Sequence, residues 1–376
     1  MKHTSVGQLL LVGVQGLELG VDEAKLLRRV QPGGFILFGR NIKTPEQLRK
    51  LVDDLRTLSL VEPIITIDQE GGRVSRLRLI GNEPPSAQQL RDKGDIELIR
   101  QHGDITGDLL RLFGFNLDLC PVLDISFDDD ADNSLRGRCY GKTVEQVIRN
   151  AAAFNNALRV AGVASCGKHF PGYSAAVVDA HHSLPKIDRT REQLDREELA
   201  VFRAFAGNGP GTAKNRVVDS MMICHGWYPC FEEKKTPASL SQQRVVTQLL
   251  RDELSFDGLV MTDDLDMGAI VNEYGFDEML RLTFAAGNDL AMICHRIDKA
   301  AEALGVIEKL PRKQINRALE SVAAFKSKMQ PPTKFSETAF RKLDDAVWKL
   351  RVAVLGKERA AERSPENAAR SPVERY

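Results

Sequence analysis

Charged and imidazole side chains close otherwise apolar runs at several points along the chain. They are Asp68, Asp124, the pair Lys168 and His169, His225, the pair Asp263 and Asp264, and His295. A charge at the end of an apolar strand is a poor core component, because burying it unpaired is costly. Taken singly, each has a plain role: Asp124 could cap a loop, Asp264 brace a helix start, and His225 or His295 sit as a satisfied rim histidine. With His295 set aside, five strand ends converging at once point instead to a site. Carboxylates beside imidazoles serve nucleophilic and general acid–base chemistry, and they also serve metal binding. Five of the seven histidines (His169, His181, His182, His225, His295) fall near this rim. However, a metal-dependent barrel hydrolase wants an HxH pair after its first strand. Here that strand ends in Gly13-Val14-Gln15-Gly16, and HExxH is absent from the sequence. Catalytic metal is therefore the minority reading.

What positions these residues is a repeated unit. Strands are predicted over residues 9–14, 34–38, 64–68, 117–125, 163–170, 221–227, 259–263 and 290–295. Each is apolar almost throughout, as parallel strands buried on both faces must be. Amphipathic helices follow. Thr44-Pro45-Glu46-Gln47 offers a capping threonine, a first-turn proline and a capping-box glutamine ahead of Leu48, Leu51, Val52 and Leu55. Thr143 opens a helix with Val144, Val147, Ile148 and Ala151, and Ser241 another with Val245, Val246, Leu249 and Leu250. Gly114 and Gly287 are placed to end helices just before strands. Eight strand–helix units without GxGxxG predict a (β/α)8 TIM-type barrel rather than a dinucleotide-binding sheet. Longer loops are expected over residues 126–142 and 171–188. We expect the barrel to occupy residues 1–330, a helical C-terminal extension 331–355, and a flexible, charged tail 356–376.

With 376 residues, 43% hydrophobic and 28% charged, the chain fits one large barrel and excludes disorder or a fibrous repeat. Lys+Arg 52 against Asp+Glu 52 gives no net field toward nucleic acid or an anionic membrane. No apolar run approaches the ~18–20 residues of a membrane span. The first apolar run follows Lys2 and His3 without a small-residue cleavage site, and reads as a strand rather than a signal peptide. The six cysteines lack paired zinc spacing, as expected of reduced thiols in a cytoplasmic protein.

The segments VGQLLLVG, PGGFILFGRNIKTPEQLR, IDQEGGRVSRL, RGRCYG, GKHFPG, DAHHSLP, MTDDLDMGAI and AAGNDLAMIC, taken in order, resemble glycoside hydrolase family 3 β-N-acetylhexosaminidases of bacterial cell-wall recycling. The resemblance covers roughly residues 5 to 325. It implies that Asp263 is the nucleophile and that Asp179 and His181 form an acid/base pair. It also implies that Asp68, Arg138, Lys168 and His169 grip the hydroxyls of the terminal sugar. The chain departs from the family pattern in Tyr173-Ser174 after KHFPG, in Asp179-Ala180-His181 followed by a second histidine, His182, and in Gly137-Arg138-Cys139-Tyr140. His181 is preferred to His182 on its spacing from Asp179.

The resemblance implies a cofactor-free retaining exo-β-N-acetylglucosaminidase in peptidoglycan recycling, releasing terminal N-acetylglucosamine from muropeptide fragments. Such cleavage needs a carboxylate to attack the anomeric carbon and an acid to protonate the leaving oxygen. An imidazole, with an ordinary pKa of about 6.5, can serve as that acid, and Asp179 can hold its tautomer. A loop over residues 171–185 is expected to bring the pair in with the sugar. Trp227, Tyr228 and Tyr173 are the aromatic candidates for stacking on it. The alternatives are a family glycosidase of other sugar specificity and a catalytically impaired sugar-binding barrel.

Overall fold

The computed structural model describes residues 6–130, 134–176, 179–207 and 218–364. Eight parallel strands, each buried, follow one another round a barrel in chain order. They are β1 (Leu10–Val12), β2 (Gly34–Leu37), β3 (Ile64–Ile67), β4 (Leu117–Asp118), β5 (Ala164–Phe170), β6 (Ser220–Ile223), β7 (Leu259–Thr262) and β8 (Ala291–Ile293). β8 pairs with β1, and the ring closes between β7 and β8 through the Met261–Leu290 bridge. Each observed strand overlaps its predicted run. The fourth is the shortest of its prediction: its regular ladder covers Leu117–Asp118, and beyond it single bonds continue, the Leu119 amide donating to the Ile67 carbonyl and the Cys166 amide to the Cys120 carbonyl, while Pro121 has no N–H to donate.

The principal helices between and after the strands are α1 (Val21–Val30), α2 (Pro45–Leu58), α3 (Ile96–Phe113), α4 (Val144–Val160), α5 (Glu198–Ala206), α6 (Arg244–Glu253), α7 (Phe276–Ala286), α8 (Ala300–Ile307), α9 (Arg312–Lys326) and α10 (Glu337–Leu355). α2 buries Leu48, Leu51, Val52 and Leu55, each contributing about 1.5–3 kcal/mol. Its cap differs from expectation in one bond. The Thr44 side chain accepts from the Gln47 amide, but the Gln47 side chain accepts from the Lys43 amide, one residue upstream of the capping-box partner. Ser241 does not cap α6: it is buried, and the helix opens three residues later, at Arg244, with Gln243 at the cap position. α6 also has wide turns, with the Gln248 amide donating to the Gln243 carbonyl five residues back. Gly114 and Gly287 end α3 and α7 at φ of 90° and 111°, a conformation glycine takes without a Cβ penalty.

Polar residues immediately before strands lock the amino-terminal end of the barrel. Asn116 accepts from the Ile65 amide, Asp219 from the Ser165 amide and Asp289 from the Val260 amide. Asp289 is fully buried and also holds Arg251 and Arg317. The carboxyl end of the barrel carries the longer loops. A tight hairpin follows β3 (Gln69–Gly71 paired with Val74–Ser75), turning at Gly71 and Gly72 with φ of 103° and 55°. Of the residues grouped with the tail on composition, Lys357–Ala360 is helical and 365–376 lie outside the described residues.

Candidate active site

An open pocket sits at the carboxyl ends of the strands, where barrels of this kind keep their chemistry. Ile36, Leu119, Met222 and Met292 make its apolar floor. All seven residues expected at the site line it: Asp68, Arg138, Lys168, His169, Asp179, His181 and Asp263.

One wall is a charge network. Lys168, on β5, reaches both Asp68 and Glu70 at 2.7 Å. Arg138 holds Glu70 through two hydrogen bonds of 2.8 Å, the bidentate pairing that fixes both planes. Burial alone would raise the Glu70 pKa, but Arg138 and Lys168 outweigh it and hold the carboxyl well below the usual range. Burial likewise opposes the charge on Lys168, yet Asp68 and Glu70 push its pKa upward. Asp68 sits lower than usual for the same reason: Lys168 and Arg76 overcome its burial. His169 adjoins Lys168, and β5 shifts register against β6 between Gly167 and Phe170, an irregularity of the kind that re-aims side chains. Asp124 accepts from the His169 amide at 3.1 Å and contacts its ring Nδ1 at 2.7 Å, while Arg138 lies 3.3 Å from Nε2. A carboxylate that only accepts and a guanidinium that only donates fix the tautomer: Nδ1 carries the proton and Nε2 accepts.

Across the pocket, Asp179 Oδ1 lies 2.6 Å from His181 Nδ1 and accepts from the His181 amide. Burial works against the Asp179 charge, but these bonds bring its pKa down to about 2. Ala180 and His181 are held in place by hydrogen bonds. The Gly268 and Ala269 amides donate to the carbonyls of His181 and Ala180, and the Ala180 amide donates to the Tyr173 hydroxyl. The pair therefore lines the pocket. His182 is exposed and does not line the pocket. Asp263 follows β7, and its Oδ1 accepts from the Asp264 amide.

The remaining candidates divide. Asp264 braces the rim, accepting from the Asp266 and Cys294 amides. His225 is buried between the Ser239 hydroxyl and the Asp264 carbonyl, and its burial lowers its pKa. His295 lies 3.3 Å from Arg40 and 3.4 Å from Asp264. Tyr173 lines the pocket, whereas Tyr228 is buried with its hydroxyl on the Gly172 carbonyl, and Trp227 donates to the Glu232 carbonyl. Glu70 and Arg76 were missed in the sequence. Glu70 stands two residues from Asp68, the spacing that puts two side chains on one face of an extended segment, and that signal was available. Among the described residues, no three His, Cys, Asp or Glu side chains are grouped as a metal site.

A closed (β/α)8 barrel with paired carboxylates, matched cations and an Asp–His pair at its mouth has the build of a glycoside hydrolase. The chain belongs to glycoside hydrolase family 3: the family's N-terminal domain matches residues 2–325. A β-hexosaminidase of Vibrio cholerae is 33% identical over 310 residues, 82% of this chain and 88% of the relative. The structure of a family 3 β-N-acetylglucosaminidase from Paenibacillus sp. superimposes with a TM-score of 0.82 at 34% identity, covering 93% of this chain and 68% of that one. NagZ from Neisseria gonorrhoeae superimposes with a TM-score of 0.74 at 28% identity, covering 91% and 97%.

Proposed function

We propose that this hydrolase is a retaining exo-β-N-acetylglucosaminidase that releases terminal N-acetylglucosamine from peptidoglycan fragments in the cytoplasm. The observation that carries the reading is the Asp179–His181 pair, joined at 2.6 Å and sharing one pocket with Asp263 and the Asp68–Lys168–Arg138 network. The names of the relatives support the sugar, and the six free cysteines accord with a reducing compartment.

In this reading Asp68, Arg138, Lys168 and His169 take the sugar hydroxyls, exchanging ion pairs among themselves for charge-assisted hydrogen bonds to substrate. The Asp263 carboxylate attacks the anomeric carbon while His181 gives a proton from Nε2 to the departing oxygen. Asp179 holds the other ring nitrogen and so fixes the orientation of the imidazole that transfers the proton. Water then attacks the glycosyl–Asp263 ester, His181 takes its proton, and Asp263 leaves with the sugar's β-configuration restored. No cofactor enters the cycle.

The test is turnover of a panel of aryl β-N-acetylglucosaminide, glucoside and xyloside. The expected result is hydrolysis of the first with kcat/KM at least about a hundredfold above the others, a discrimination attainable when polar groups of the site bond the acetamido group. Preference for the glucoside would place the enzyme elsewhere in the family. Binding of sugar without turnover of any substrate would mark an impaired barrel.

A further inference from the structure

Glu83 is a carboxylate buried well away from the pocket's chemistry, on the chain that leads back from the hairpin after β3. It is held from two directions. Arg78, from the segment leaving the hairpin, donates to it at 3.0 Å. From the C-terminal extension, Arg351 on α10 donates to its carboxyl and carbonyl oxygens at 3.1 Å, and the Ser364 hydroxyl donates at 2.7 Å. Arg351 is itself buried, and it donates to the Ala360 carbonyl at 2.9 Å, so residues 360–364 are folded over this contact. Asp344 grips Asn82, and Arg363 donates to the carbonyls of Arg78 and Gly81.

From Glu83 the path to the sugar wall is short. The neighbouring Pro84 carbonyl accepts from the Gly72 amide at the hairpin turn. A Cβ on Gly71 would stand 2.3 Å from the Pro85 carbonyl, so hairpin and return segment are packed without slack. The same hairpin carries Glu70, which holds both Arg138 and Lys168, and Arg76, which lies 3.5 Å from Asp68.

We propose that the C-terminal segment 337–364 is a positioning element for sugar binding, and that Arg351 and Glu83 are its positioning residues. Through Glu83 they set the hairpin that places Glu70 and Arg76, and so the geometry of the carboxylates and cations that meet the sugar. The inference rests on that wall being the sugar-binding wall. It predicts a defect in binding rather than in the covalent steps, which belong to Asp263 and His181 on the other side of the pocket.

The experiment compares full-length wild type with Arg351→Met, Arg351→Lys and the milder double variant Arg363→Ala, Ser364→Ala, well below each melting temperature. Steady-state kinetics on aryl N-acetylglucosaminide, calorimetric binding of N-acetylglucosamine and amide hydrogen exchange over residues 69–79 are read together. Arg351→Met is expected to raise KM and Kd about tenfold, the scale of a lost charge-assisted hydrogen bond, with kcat within about threefold. Exchange over residues 69–79 should quicken while the barrel strands keep their protection. Arg351→Lys should recover part of the binding, and the double variant should show a smaller form of the same split. Wild-type KM, Kd and exchange in the variants, with only a lower melting temperature, would overturn the proposal. If Arg351→Met does not fold, the double variant decides on the same readouts. Wild type that binds and turns over no N-acetylglucosaminide would sink the proposed function instead, and the exchange data would still judge the coupling of tail to hairpin.

Discussion

Asp118 ends β4 with its carboxyl fully buried, one oxygen accepting from the Gln69 amide. Burial lifts its pKa to about 8; the Gln69 amide and Lys168 pull the other way, and Asp68 and Glu70 add to the rise. The folded chain thus keeps a proton that an unfolded aspartate sheds near pH 4. Between about pH 4 and pH 8 the unfolded state binds fewer protons, so this residue removes stability as pH rises. Asp118→Asn keeps the accepting oxygen and has no proton to lose. Its urea-unfolding free energy should exceed wild type at pH 8 by about 2 kcal/mol or more, with the advantage shrinking toward pH 5. An advantage constant across pH would mean that the native carboxyl is ionised. Catalytic importance should follow a different variable, the leaving group. His181→Ala is expected to abolish cleavage of natural disaccharides, spare glycosylation from dinitrophenyl glycosides and show a burst; His182→Ala should do almost none of this. Equal loss on every leaving group without a burst would make His181 structural. Individual residues were legible where a motif fixed their neighbours, as at Lys168 and His169. They were illegible where the role depends on what folds alongside: nothing in the run Gly81-Asn82-Glu83 announces a partner 268 residues away at Arg351.

At the scale of elements, apolar runs and capping residues gave strands and helices because both signals are local. Their limits moved where the backbone's own chemistry intervened, as at Pro121 and at the wide-turned α6. The placing of His181 was not legible, since it depends on Gly268, 87 residues further along the chain, whose amide donates to the His181 carbonyl in the fold. A Cβ on Gly268 would stand 2.5 Å from the His181 carbonyl. Gly268→Ala should therefore displace the Asp179–His181 pair and cost on the order of tenfold to a hundredfold in kcat on poor leaving groups, much less on dinitrophenyl substrates. A uniform loss across substrates would show that the substitution disturbs Asp263 rather than the loop.

The whole molecule divides its labour between its two ends, and this was only half visible in the sequence. Charges at strand ends stood out, but charges before strands, such as Asp219 and Asp289, look like ordinary loop residues until the neighbouring strands are in place. Asp289→Ala leaves Arg251 and Arg317 without their buried carboxylate and should cost about 3–5 kcal/mol of stability while leaving kcat/KM of the folded enzyme unchanged. Glu70→Gln, at the other end of the barrel, should show itself in binding, raising KM about tenfold or more. The central claim is that this barrel cuts glycosides through a covalent bond to Asp263. The most direct measurement is peptide mass spectrometry after incubation with a slowed, fluorinated N-acetylglucosaminide. One sugar per chain is expected, carried on Asp263 and lost on turnover; a sugar on Asp264 or Asp266, or active enzyme that never carries one, would contradict a covalent role for Asp263.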